Sequence, residues 1–414
     1  MDPEITHRTT CRLCGSSALE PALALTPTPP ANAFVGADAL ATPQKVYPLE
    51  LFLCSSCGHL QMLDVVNPQV LFEHYVYVSG TSPSFVAHFK QYSEQVIQRL
   101  ELKKGDLIVD IGSNDGTLLS FFKDSGFRVL GIDPAREIAA AANRRDIETI
   151  NDFFTPDLAR TLHERYGPAA LITANNVFAH VDDLQGILDG VRFLLTPTGG
   201  FVFEVSYLLD VYQKVLFDTI YHEHLDYHRV EPLRRFFADN EMLLFDVERI
   251  ASHGGSLRGY AALDNGKYRE SPHVAELAQL EIELELGTLG AYAAYTQQID
   301  RCRLESTSLI RGLKQAGKRI AGYGAPAKAT TFLYHFGLGP DLIEFIVDDS
   351  PLKQGLYSPG LHIPVVSSQT LYERRPDYAV VLAWNFADVI IRNQSEFTKI
   401  GGRFIVPFPQ LKVQ

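Results

Sequence analysis

The sequence predicts an α/β protein made of a small N-terminal metal-binding module, two parallel-sheet units and a helical bridge between the units. Three features predict it. Two Cys-x-x-Cys pairs stand before residue 58. Strand-like apolar runs alternate with helix-like stretches between residues 107 and 205, the pattern of a parallel sheet covered by helices. The same alternation resumes at residue 319, after a long stretch rich in Ala, Leu and Glu.

A chain of 414 residues has room for two or three domains at about 150 residues each. Hydrophobic residues make up 46% and charged ones 21%, which excludes long disorder and fibrous repeats. The net charge of −12 excludes a broad nucleic-acid or anionic-membrane surface, so any anionic ligand needs a local pocket. No apolar run is long enough to span a membrane, and His7, Arg8 and Cys11 stand where a signal peptide would place its apolar core. A cytoplasmic protein is expected.

Residues 1–70 read as a small irregular module, with a strand at Val46 to Leu53 and with Pro27, Pro29 and Pro30 preventing a helix before it. Residues 71–270 form the second unit. Phe85, Phe89, Val96, Ile97 and Leu100 recur at helical spacing, and strands follow at Leu107 to Ile111, Val129 to Ile132, Leu171 to Ala174 and Phe201 to Val205. Residues 271–316 lack proline after Pro272 and read as helix, broken near Gly287 and Gly290. Residues 317–414 carry four more strands, at Arg319 to Gly322, Ile343 to Val347, Ala379 to Ala383 and Arg403 to Val406.

Cys11, Cys14, Cys54 and Cys57 make two knuckles that together close a four-thiolate cage suited to zinc. Such a cage leaves no position for water, so the metal is structural. His59 reads as a surface residue or a neighbour of the cage, and Cys302 stands alone.

The run Asp110-Ile111-Gly112-Ser113-Asn114-Asp115-Gly116 follows a strand and opens a helix. It lacks the third glycine that admits a pyrophosphate, and Asp110 and Asp115 would repel one. The same carboxylates attract a ligand with an amino group and a sulfonium charge, which is S-adenosylmethionine. Asp133 ends the next strand, where an acidic side chain accepts ribose hydroxyls. Asp152, Asn175 and Asn176 fall on the later loops that meet the adenine and the methionine end. A plain strand-turn-helix would show the same glycines.

Tyr221-His222-Glu223-His224 is dense in proton-handling groups, which suits removal of a weakly acidic proton next to a donor for the resulting oxyanion. His224 is the expected general base. Metal ligation by His222 and His224, or an interface role, are the alternatives. His180 closes a loop at the carboxyl end of a strand and is either a second proton carrier or a loop histidine. His253, Ser256 and Arg258 surround two glycines that could hold a carbonyl or phosphate oxygen, although a turn between two strands explains the glycines equally well. Tyr323, Ala327, Lys328 and Thr330 lie in a strand-to-helix loop of the form Gly-x-Gly-x-x-Ala, where lysine, hydroxyls and helix N-terminus favour a phosphate or pyrophosphate. Asp348 ends the next strand within reach of a ribose or base.

Two units of opposite electrostatics imply a cationic donor and an anionic acceptor. Over essentially its whole length the chain resembles the zinc-containing sugar C-methyltransferases of deoxysugar biosynthesis. The paired knuckles, Asp-x-Gly-x-Asn-Asp-Gly, Ala-Asn-Asn-Val-x-Ala-His, Tyr-His-Glu-His-Leu-x-Tyr, His-Gly-Gly-Ser-Leu-Arg and Gly-Tyr-Gly-Ala-x-Ala-Lys carry that resemblance. It implies a central class I Rossmann-like methyltransferase domain, a C-terminal Rossmann-like domain for the nucleotide diphosphate, and methylation at C-3 of a nucleotide-linked 4-keto sugar, TDP-linked with GDP as the alternative. It also implies His224 as base, with Tyr221, Glu223, His180 and Tyr75 around the ketose. His228 departs from the pattern, which leads us to expect an aromatic residue there. The rival readings are methyl transfer to oxygen or nitrogen of a small metabolite, and a non-catalytic zinc- and nucleotide-binding scaffold.

Overall fold

The computed structural model describes residues 4–72, 80 and 83–414. In the N-terminal module, Leu19–Thr28, Tyr47–Cys54 and Leu60–Met62 form an antiparallel sheet. Alternation along the middle strand turns Tyr47, Leu49, Leu51 and Leu53 inward. Pro21 and Pro27 are tolerated because Leu19–Thr28 is the edge strand. The opposite edge is filled from far along the chain. Asp226–Tyr227 pairs with Leu60–Met62, Asp226 opposite Gln61 and Tyr227 opposite Leu60. The sheet of the module is thus completed by a two-residue strand from the second unit.

The central sheet has seven strands in the order Met242–Ile250, Ser256–Leu263, Leu195–Ser206, Ala169–Asn175, Leu107–Ile111, Arg128–Ile132 and Thr149–Ile150. Ser256–Leu263 runs antiparallel to both of its neighbours, and the other pairs are parallel. The chain order reverses between Leu107–Ile111 and Ala169–Asn175. Open α/β sheets bind ligands at such a switch point, outside the carboxyl ends of the strands. The loops 112–116 and 176–180 lie there.

The bridge is two helices, Pro272–Glu283 and Leu289–Gln315, broken where Gly287 stands. The first is anchored by buried Glu281, which accepts hydrogen bonds from the Tyr207 hydroxyl at 2.8 Å and the Val230 amide at 2.6 Å. The C-terminal sheet has the order Val365–Val366, Ile346–Val347, Ile320–Tyr323, Tyr378–Val381, Arg403–Val406 and Lys412–Val413, parallel except for the last strand. Its switch point lies between Ile320–Tyr323 and Tyr378–Val381. Among the described residues no helix is long and apolar enough to cross a membrane.

Candidate active site

The four cysteine sulfurs lie within 4.8 Å of one another, with Cys11–Cys57 at 3.7 Å and Cys14–Cys54 at 3.6 Å. Thiolates about 2.3 Å from a tetrahedral zinc stand about 3.8 Å apart, so the cage fits the ion. The sulfurs compete for protons. A hydrogen bond from Cys57 lowers the Cys11 pKa to about 4, and the same bond raises that of Cys57. A divalent cation is what allows all four to ionise. From the cage, contacts run directly to residues 225–229. Of the two positions expected for His59, at the surface or as a neighbour of the cage, the second holds: it is fully buried and donates to Asp226 at 2.6 Å, while Arg229 donates to the Gly58 carbonyl at 2.6 Å. Burial would raise the Asp226 pKa, but Arg12 and His59 together hold it below the usual carboxylate range. His228 stacks between His59 and Phe178, both at 5.5 Å, and so fills an aromatic slot as an imidazole.

At the first switch point, Gly112, Asn114 and Gly116 all adopt positive φ. A Cβ on Gly112 would meet Val177 at 2.2 Å, so only glycine lets the loop close there. The Asn114 amide donates to Asp133 at 2.8 Å, and the Ala135 amide donates to its other oxygen at 2.9 Å. Burial pushes the Asp110 carboxyl up to about 7, against a 2.6 Å hydrogen bond from Thr173. Asp115 accepts from Thr117 at 2.7 Å and pairs with Arg145 at 3.0 Å. Among the described residues, the side-chain amide atoms of Asn175 are buried without a hydrogen-bond partner within 3.5 Å. Asp110 and Asp133, both pushed up by burial, and the buried amide of Asn175 fit a polar, cationic ligand such as S-adenosylmethionine. Asn176 holds the loop through its own amide, which donates to the Glu204 carbonyl at 2.8 Å, and Asp152 lies exposed at the rim beside exposed Phe153.

Tyr221 to His224 form a turn, closed by a 2.8 Å bond from the His224 amide to the Tyr221 carbonyl. His224 lies between two rings, Tyr221 with centroids 4.0 Å apart and His180 at 4.9 Å. Its Nδ1 donates to the Thr219 carbonyl at 2.7 Å. A carbonyl only accepts, so the hydrogen sits on Nδ1 and the basic lone pair on Nε2. Buried Glu223 accepts from Asn32 of the N-terminal module at 2.7 Å. His222 turns the other way. It donates to the Pro48 carbonyl at 3.0 Å and packs edge-on to Tyr47, so it holds the turn to the module and does not share a metal with His224.

In the C-terminal loop, Gly324 has φ +88, and a Cβ there would meet Ala383 at 2.5 Å. Lys328, at the second switch point, donates to Asn385 at 2.7 Å and lies 3.9 Å over the Trp384 ring. Burial lowers its pKa to about 8, with nearby Asp218 opposing the shift. Asp348 accepts from the Ala325 amide at 2.6 Å, matching the Asp133 contact in the central unit. Tyr323 is held by Gln394 and Asp349, and Ala327 precedes the helix Lys328–Phe336.

Three expected ligand contacts are differently employed. Arg258 is fully buried, pairing with Glu204 at 2.6 Å, donating to Gln95 and lying over Tyr92, because its strand turns it into the sheet packing. Ser256 donates back to the Ser252 carbonyl, and Thr330 donates to the Ala31 carbonyl at 3.0 Å. The backbone of His253 belongs to the turn that joins the two last strands of the central sheet, and Tyr75 lies outside the described residues. Sequence reasoning missed Asn32 and Lys353. Lys353 donates to the Ala325 carbonyl at 2.8 Å and lies 5.3 Å over the Phe34 ring, with its pKa lowered by burial against the charges of Asp348 and Glu223. No motif marks either residue, since each acts across a contact between units.

Residues 11–72 match a zinc binding domain family, residues 85–241 a methyltransferase domain family and residues 251–409 the C-methyltransferase C-terminal domain family. The chain is 37% identical over 403 residues to C-methyltransferase NovU of Streptomyces niveus, covering 97% of this chain and 96% of that one. Among solved structures, the PH0226 protein of Pyrococcus horikoshii OT3 aligns with 45% of this chain and 94% of its own, at 15% identity and a TM-score of 0.37. Magnesium protoporphyrin IX methyltransferase of Synechocystis PCC 6803 aligns with 43% of this chain and 80% of its own, at 14% identity and a TM-score of 0.33.

Proposed function

This chain belongs to the S-adenosylmethionine-dependent C-methyltransferases that carry a zinc binding domain, and on that premise we propose that it methylates C-3 of a nucleotide diphosphate 4-keto-deoxysugar, TDP-linked with GDP as the alternative. The observation that carries the reading is the imidazole of His224, with Nδ1 tied to the Thr219 carbonyl at 2.7 Å and its basic nitrogen therefore Nε2.

Carbon is nucleophilic only after losing a proton, so a carbon acceptor requires a base, and a ketone beside the carbon makes the proton removable. His224 takes the C-3 proton at Nε2, and the charge spreads onto the 4-keto oxygen as an enediolate. Tyr221 and neighbouring donors stabilise that oxygen, each such donor being worth on the order of 3 kcal/mol. Glu223, held by Asn32, fixes the turn beside the ketose, and His180 packs against the base. Asp110, Gly112, Asn114, Asp115, Gly116, Asp133, Asp152, Asn175 and Asn176 would hold S-adenosylmethionine, whose sulfonium would supply the methyl group to C-3, the C–S bond breaking to leave a neutral sulfide. A base on one face and a donor on the other give inversion at C-3. Lys328 and the Gly324 loop hold the diphosphate, with Tyr323 and Asp348 toward the nucleoside. Cys11, Cys14, Cys54 and Cys57 would hold the zinc, whose role would be to keep together the module that carries Asn32 and contacts residues 225–229, with no open position for chemistry.

The test is to incubate the protein with methyl-labelled S-adenosylmethionine and a panel of nucleotide 4-keto sugars, locating the label by mass and carbon NMR. Label at C-3 of the TDP sugar is expected. Label on oxygen, or none with any sugar nucleotide, overturns the substrate assignment.

A further inference from the structure

The four residues before the Tyr221 turn are attached to the C-terminal unit at three points. The Phe217 ring stacks on Phe336 with centroids 5.2 Å apart and meets Phe408 edge-on at 5.3 Å. Asp218 is buried and accepts the in-plane hydrogen of the Trp384 indole at 2.6 Å, and the Lys328 ammonium lies over the face of that same indole. The Ile220 carbonyl accepts from the Thr331 hydroxyl at 2.7 Å. Between these attachments, the peptide joining Thr219 to Ile220 is pinned on its amide side by a 3.0 Å bond to the Phe217 carbonyl. On its carbonyl side it receives His224 Nδ1.

We propose that Phe217–Ile220 is a brace through which the C-terminal unit sets the tautomer and orientation of His224, with Thr331 and Asp218 as positioning residues. The inference rests on His224 being the base. A three-residue turn such as Phe217–Thr219 has too few internal hydrogen bonds to hold one carbonyl in place. Its rigidity comes from the neighbouring unit. An imidazole whose Nδ1 loses its acceptor divides between two tautomers, and in the wrong one the reactive nitrogen carries a hydrogen and cannot act as base. The unit proposed to hold the sugar nucleotide thereby also prepares the base, without any of its residues touching the reacting carbon.

Nitrogen-15 NMR of histidine-labelled protein reads the tautomer directly. In the wild type, His224 is expected as the Nδ1–H form. Thr331→Val, which keeps the shape and removes the hydroxyl, should show a tautomer mixture and a kcat lower by about tenfold or more, with KM for both substrates nearly unchanged. Thr331→Ser should restore both readings, and Asp218→Leu, which leaves the Trp384 indole hydrogen without its acceptor, should reproduce the mixture from the other end of the brace. A wild-type tautomer in Thr331→Val and Asp218→Leu overturns the proposal, as does a loss confined to KM. If His224→Gln retains turnover, the base assignment fails instead, and the tautomer signal still reports whether the brace exists.

Discussion

His180 stacks on His224 with ring centroids 4.9 Å apart and planes 25° from parallel. Burial, and then the charge of its neighbour, hold the His180 pKa well below the imidazole range. The His180 imidazole therefore resists taking up a proton. A neutral replacement is expected to be tolerated and a charged one rejected. His180→Gln should cost less than about tenfold in kcat, and His180→Lys more than about a hundredfold, because a fixed positive charge against the ring disfavours its protonation. Steady-state kinetics of the two variants checks this, and equal losses would contradict it.

Lys328 gives a pH dependence of definite sign. Burial lowers its pKa to about 8, so the ammonium is present below that value and lost above it. If the ammonium grips the diphosphate, kcat/KM for the sugar nucleotide falls as pH rises through about 8, since this ratio reports the free enzyme. Lys328→Arg keeps its charge and should remove the decline. A ratio unchanged up to roughly pH 9.5 would place the anion elsewhere.

Metal removal should disable the protein through structure. The knuckle glycine Gly58 has φ +75, and a Cβ there would meet Arg229 at 2.2 Å. Gly58→Ala should therefore retain zinc yet lose about 2 kcal/mol or more of stability and most of its activity. Chelation, or Cys57→Ser, should lower the melting temperature and activity together. Measurements of zinc content, melting temperature and turnover on the same samples decide this. Full activity in zinc-free protein would contradict it.

His228 marks a weak seam in acid. Burial first, against the opposing charge of Asp226, lowers its pKa to about 4 from 6.5. Below pH 6.5 the unfolded chain takes up a proton that the folded chain refuses, so stability is lost as pH falls from the unfolded to the folded value. At roughly pH 5 the loss is about 2 kcal/mol. His228→Phe keeps the stack on Phe178 and should remove that loss while leaving the melting temperature near neutral pH little changed. Denaturant titrations at the two pH values check it, and equal acid sensitivity in both proteins would contradict it.

Some of this architecture was legible because it is local. The two Cys-x-x-Cys turns, the glycine loops at Gly112 and Gly324, and the carboxylates of Asp133 and Asp348 at strand ends each declare themselves within a few residues. The helix break near Gly287 did so too. What stayed hidden depends on distant parts of the chain. Asp226–Tyr227 is a strand only because Leu60–Met62 offers it an edge, and two residues carry no periodicity. Arg258 looked like an anion ligand beside two glycines, but strand alternation sends it to Glu204. His59, Asn32 and Lys353 acquire their surroundings from other units, which no spacing rule encodes.

The central claim is that His224 removes the C-3 proton before the methyl group arrives. Incubating the enzyme and the 4-keto sugar nucleotide in deuterated water without a methyl donor, and following the C-3 proton by NMR, tests that step alone. The account predicts exchange in the wild type and a loss of at least about a hundredfold in His224→Ala. Undiminished exchange in the variant would contradict it.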